Sequence, residues 1–132
     1  MSEARNLEIV RKVVERWNAG DFEGLLELYH EDTVAKTSAE WPEQAGWRNK
    51  DEMRTAIADW RDAWETSALE IDSIEAFGDN LLARGAWNTR GRASGLDGTL
   101  RFSIVFTLKD GKIAGLEWFT DHDLAVAAAR HT

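Results

Sequence analysis

The side chains of this chain best suited to proton transfer stand together near its end, in Asp121-His122-Asp123. Two carboxyls flanking an imidazole offer an acid, a base and a group to orient either, which is the equipment of cofactor-free acid–base chemistry. Asp121 follows Trp118 and Phe119 closely, and desolvation by such neighbours raises a carboxyl pKa toward the range a general acid needs near neutrality. His122 is its natural partner, and His30, far away in the chain, is a second imidazole that a fold can bring to the opposite end of a pocket. Plainer roles fit the same residues. Asp is a preferred helix N-cap, and the apolar run Leu124 to Ala129 begins directly after Asp121 and Asp123. His30 stands where a helix is expected to end, and a helix C-terminus favours a cation. Metal chemistry has less support, because His30, Asp32, Asp121, His122 and Asp123 include neither a His-x-His nor a His-Glu-x-x-His spacing. Gly91, Gly95 and Gly98 precede no helix and make no phosphate loop. Without cysteine there is no thiolate nucleophile, thiolate metal site or disulfide. Neither metal nor cofactor is expected.

Tryptophan is the second chemical resource: the chain has 7, against a single Tyr and a single Pro. Rigid rings in this excess suit the wall of a cavity that faces an apolar ligand, while an ordinary core or a subunit interface also uses them. The 132 residues are expected to form one domain, 1–132, large enough to bury about two-thirds of the unfolded surface. With 43% hydrophobic and 30% charged residues the composition is globular, and no apolar run nears the roughly 20 residues that span a bilayer. The amino-terminal stretch is charged and lacks the apolar centre of a secretory signal, so a cytoplasmic protein is expected. A net charge of −8 is the wrong sign for nucleic acid.

Several elements must position these groups. Leu7, Val10, Val13, Val14 and Trp17 fall at helical spacing, and Asn18-Ala19-Gly20 ends that helix. Asp21 then caps a second helix carrying Phe22, Leu25, Leu26 and Tyr29, closed by His30-Glu31-Asp32. Thr33 to Thr37 reads as a short strand, and Ser38 to Asn49 as a loop whose Trp41 and Trp47 must cover something apolar. A third helix over Lys50 to Trp64 turns Met53, Ile57, Trp60 and Trp64 inward. The period then changes to two. Leu69 to Phe77, Leu81 to Arg92, Arg101 to Leu108 and Ile113 to Phe119 read as strands, with Asp110-Gly111 as the last tight turn and a terminal helix after it.

Three stretches carry a resemblance. WNAGDFEGLLELYHEDTV, GWRNKDEMRTAI and KDGKIAGLEWFTD resemble, in turn, the helix hairpin, the lead-in to the third helix and the last hairpin of the SnoaL-like family. That family lies within the superfamily of nuclear transport factor two and the ketosteroid isomerases, and the resemblance covers nearly the whole chain. It implies an α+β fold: a cone-shaped, curved, largely antiparallel sheet wrapped around a helix hairpin and a third helix, a cystatin-like barrel. The isomerases' oxyanion tyrosine, general base and protonated aspartic acid would fall on Val13, Lys36 and Ile104, which cannot do their work. The Asp-Arg-Asp relay of the limonene epoxide hydrolases finds Arg84, Arg90, Arg92 and Arg101, but only Asp72 beside them. SnoaL-like cyclases carry an acid near the end of the last strand, and Asp121 is similar in position.

The resemblance therefore implies a hydrophobic small-molecule ligand, polyketide, terpene or steroid-like, in an apolar pocket. Trp17, Tyr29, Trp47, Trp60, Trp87, Asn88 and Trp118 are the expected lining. Asp121, with His30 and His122, would carry cofactor-independent isomerase, cyclase or hydrolase-type chemistry. The alternative is a non-catalytic binding module. In either case the outer sheet face, with Val105 and Thr107, would serve a homodimer.

Overall fold

In the computed structural model, which describes residues 3–39, 41, 45–91 and 94–130, the first amphipathic pattern folds as helix α1 (Glu3–Ala19). Val10 and Val13 are buried while Arg11, Lys12 and Glu15 stay in water. Gly20 takes a left-handed φ of 73°, which ends the helix, and Asp21 accepts from the Gly24 N–H at 3.0 Å to cap α2 (Phe22–Glu27). This second helix is shorter than its pattern suggests. Strand β1 (Tyr29–Thr37) takes over before His30, so Tyr29 and His30 are strand residues rather than helical ones. The reason is pairing: Tyr29 lies opposite Ile113, Val34 to Thr37 lie opposite Gly115 to Trp118, and tertiary hydrogen bonding overrides local helix preference.

The expected loop holds a two-residue strand, β2 (Gly46–Trp47), with Trp47 beside Ala35. Gly46 is required there. Its φ is 151°, and a Cβ would stand 2.1 Å from the Ala35 carbonyl oxygen. Asn49 caps α3 (Lys50–Ala63) by accepting from the Glu52 N–H at 2.9 Å. The chain passes straight into β3 (Trp64–Phe77), then β4 (Asn80–Gly91), β5 (Asp97–Lys109), β6 (Lys112–Phe119) and α4 (His122–Arg130). Asp110 and Gly111, at φ 54° and 76°, form the tight turn between β5 and β6 that their types predict. Arg92 lies outside the described residues.

The six strands lie in the order β2-β1-β6-β5-β4-β3, all antiparallel except β1 with β6. The fold is α+β, as expected. The described sheet is open, however: β2 and β3 are its edges and do not pair, so no barrel closes. Gly85 lets β3 and β4 approach at an irregularity between Ile71 and Ser73, for a Cβ there would stand 1.9 Å from the Glu70 carbonyl oxygen.

Alternation sends Phe102, Ile104, Phe106 and Leu108 to one face, where they pack in one core with Val10 and Val13 of α1, Leu25 of α2 and Met53 and Ile57 of α3. The opposite face differs from expectation. Val105 is only 6% exposed, because α4 covers it together with Leu82 and Phe119 through Ala125 and Ala129. The patch assigned to a dimer is thus partly filled by the chain's own last helix, whose small apolar side had no other partner. Thr107 remains exposed and donates to Asn80 Oδ1 at 2.8 Å.

Candidate functional site

Between the helix layer and the inner sheet face lies a cavity of about 450 Å³, within the size range that accepts a small organic molecule. All 7 tryptophans of the chain border it. They come from every part of the fold: Trp17 at the end of α1, Trp41 and Trp47 around β2, Trp60 on α3, Trp64 on β3, Trp87 on β4 and Trp118 on β6. Trp47, Trp60 and Trp118 meet one another edge to face, with centroid separations of 6.3, 5.6 and 5.9 Å for the pairs 47–60, 47–118 and 60–118. Their planes are inclined by 64°, 82° and 79° in the same order, so the three rings stand as a corner. Trp17 extends the set, 5.9 Å from Trp60, and Trp64 meets Trp87 at 5.4 Å.

The polar groups at this wall are few. Trp47 Nε1–H donates to Thr33 Oγ1 at 3.4 Å and Trp87 Nε1–H to Ser67 Oγ at 2.6 Å, so two indoles are tied to the chain. Trp17 Nε1–H is buried without a partner. Thr37 Oγ1 accepts from the Ala45 N–H at 3.1 Å. Tyr29, 3% exposed, lies 6.2 Å from Trp47 between ring centroids, and burial pushes its phenol pKa well up, so the hydroxyl stays protonated. Asp59, exposed at the edge of α3, is the one charged residue on the wall among the described residues.

Six of the seven expected pocket residues, Trp17, Tyr29, Trp47, Trp60, Trp87 and Trp118, border this cavity. Asn88 does not. It neighbours Trp87 in a strand, and a period of two sends the pair to opposite faces; Asn88 Oδ1 accepts from Thr99 Oγ1 at 2.9 Å. Asp121, His30 and His122 are likewise absent from the wall. Asp121 Oδ1 accepts from the N–H groups of Asp123 and Leu124, at 2.9 and 3.2 Å, at the start of α4. His122 Nδ1 is 2.8 Å from Ser103 Oγ, on the sheet face under α4, because Ser103 alternates with the inward Phe102 and Ile104. His30 Nδ1 accepts from the Asp32 N–H at 3.2 Å, a local turn contact.

Of the arginine positions, Arg84, Arg90 and Arg101 also lie off this wall. Arg101 pairs with Asp72, both about half exposed, and Arg90 Nε donates to Asp97 Oδ1 at 2.8 Å, which holds the Asp97 carboxyl below its usual range. Among the described residues no group of three or more His, Asp or Glu is placed to hold a metal ion, and no helix is long and apolar enough to cross a membrane.

Asp59 is a wall residue that residue pattern alone did not assign. Asp59 and Ala63 are four apart on one edge of α3, and that spacing, seen beside the inward Trp60, was the available signal. Trp64 was expected inward as the end of a helix; it is inward as the start of a strand.

The residues 10–116 match the family model described as the SnoaL-like domain. No protein with a curated description is matched by sequence. The fold is similar to an NTF2-like protein of unknown function from Burkholderia pseudomallei, 19% identical, covering 96% of this chain and 97% of that one with a TM-score of 0.79. It is also similar to TerC co-crystallised with polyporic acid, at 18% identity, 97% and 99% coverage and a TM-score of 0.77. A third similar structure is a protein with a ketosteroid isomerase-like fold from Catenulispora acidiphila in complex with trimethylamine, at 13% identity, 85% and 84% coverage and a TM-score of 0.75. Since the matched span takes in most of the sequence, the chain belongs to the family of SnoaL-like domains.

Proposed function

We propose that this protein binds a mainly apolar small molecule in the tryptophan-walled cavity, with Trp17, Tyr29, Trp47, Trp60, Trp87 and Trp118 as its contacts. One observation carries the reading: seven tryptophans scattered through the sequence converge on one space of about 450 Å³. A core needs no such selection, since Leu, Ile and Phe fill volume without a polar edge to satisfy. The Trp17 N–H, buried without a partner, and the protonated Tyr29 hydroxyl are the groups that would fix a ligand oxygen. Two relatives of the same fold were crystallised with small molecules, polyporic acid and trimethylamine, which supports small-molecule binding as the use of this cavity.

The geometry favours binding over acid–base turnover by Asp121, His30 and His122, none of which reaches the wall. Tyr29 and Asp59 are the side chains on the wall whose types exchange protons. The test is a panel of neutral polycyclic and terpene-like compounds read by tryptophan fluorescence and thermal shift. Binding quenches or shifts indole emission and raises the unfolding midpoint in a concentration-dependent way. Stabilisation without any change in indole emission would place the ligand elsewhere and end the reading.

A further inference from the structure

We infer that the ligand presents an uncharged carbonyl oxygen to the hydroxyl of Tyr29, which makes this residue the one that selects among apolar molecules of similar shape. The inference rests on the reading of the cavity as a small-molecule site and names the class of molecule it takes: neutral ketones, quinones and lactones. Tyr29 is the only tyrosine of the chain, is 3% exposed and borders the cavity. Burial raises its pKa, and no hydrogen bond to the hydroxyl from the described residues contributes. Buried hydroxyls are nearly always bonded, so an unbonded one on a cavity wall is a place for a partner that the chain does not supply.

The phenol ring is fixed from its side. Tyr29 meets Trp47 edge to face, at 6.2 Å between centroids and 69° between planes, and Trp47 is itself tied to Thr33 through its N–H. A hydroxyl on a fixed ring needs little ordering when a ligand arrives, so less of the bond it makes is offset by lost freedom. Because burial keeps its proton on, the group is ready to donate throughout the neutral range. Trp17 Nε1–H, a donor and nothing else, is also unbonded at this wall. Among uncharged oxygens the carbonyl is the strong acceptor. An anionic oxygen accepts too, but it would enter an apolar space whose wall has no Lys, Arg or His among the described residues and includes the Asp59 carboxylate.

1-Tetralone and tetralin test this directly, for they share a bicyclic frame and differ in one carbonyl against a methylene. Each is titrated into the full chain and into Tyr29→Phe, which keeps the ring against Trp47 and removes only the oxygen. Affinity is read by calorimetry and thermal shift, and the carbonyl stretch of bound tetralone by infrared difference spectroscopy. Tyr29→Phe should weaken tetralone about fivefold and leave tetralin within about twofold. It should also move the bound carbonyl stretch to higher frequency, which a merely structural role for Tyr29 would not do. Tetralin-2-carboxylate should bind the unchanged chain about tenfold more weakly than tetralone. An unmoved carbonyl stretch, an equal effect on tetralone and tetralin, or tighter binding of the carboxylate overturns the inference, while binding of tetralin keeps the cavity reading. Binding of neither compound, in a protein that the neutral panel also fails to stabilise, removes both.

Discussion

Tyr29 is the only tyrosine of the chain, so its ionisation can be followed without interference from another phenol. Desolvation at a 3% exposed site disfavours the phenolate, and the raised pKa means the folded protein keeps the proton where an ordinary tyrosine, near pH 10, loses it. Linkage sets the sign. The contribution of the buried neutral phenol to stability is fully present below about pH 10 and is lost as pH rises beyond it. An alkaline titration should therefore show no phenolate absorbance until the fold itself gives way, with the two changes coinciding. A normal phenolate titration in the folded protein would mean that Tyr29 is solvated, and Tyr29→Phe should remove the signal altogether. His30 shows how little a residue type says alone: the same imidazole that reads as a base in sequence makes only a local contact to the Asp32 N–H.

At the scale of elements, α4 answers what Asp121-His122-Asp123 is for. Asp121 holds the first N–H groups of the helix, His122 is bonded to Ser103 on β5, and Asn80 Nδ2 donates to the Ala129 carbonyl at 3.0 Å near the other end. A nine-residue helix is marginal in isolation, so these ties and the burial of Ala125 and Ala129 are what keep it on the sheet. Asp121→Ala should lower stability by about 0.5–2 kcal/mol through the lost cap, measured by urea unfolding, and leave ligand affinity unchanged. Loss of binding without loss of stability would return Asp121 to the cavity. A comparable device joins α1 to the edge strand: Asn18 donates to the Leu69 carbonyl at 2.9 Å and accepts from the Leu69 N–H at 2.8 Å, as a strand residue would.

Over the whole molecule, the cavity is volume that close packing would otherwise fill, and a ligand-free protein forgoes those contacts. Val14 borders it from α1 and is only half-buried. Val14→Phe should fill part of the space, hold or raise the unfolding midpoint of the free protein, and abolish the stabilisation given by ligands. A variant that keeps full ligand response would show that binding does not use this volume. By itself the sequence determined the α+β class, the last hairpin with its Asp110-Gly111 turn and the inward file from Phe102 to Leu108, because each rests on short-range periodicity or turn chemistry. It also pointed to tryptophan as the material of a pocket. Only the tertiary structure decided that Tyr29 begins a strand, since the parallel partner that draws it there lies some eighty residues away near Ile113. It alone decided that His122 faces away from the cavity, that α4 covers Val105, and that Asp59 stands on the wall; the period of two already set Asn88 opposite Trp87. Which face a side chain presents depends on register and on what packs against it, and neither is local to the residues that carry the chemistry.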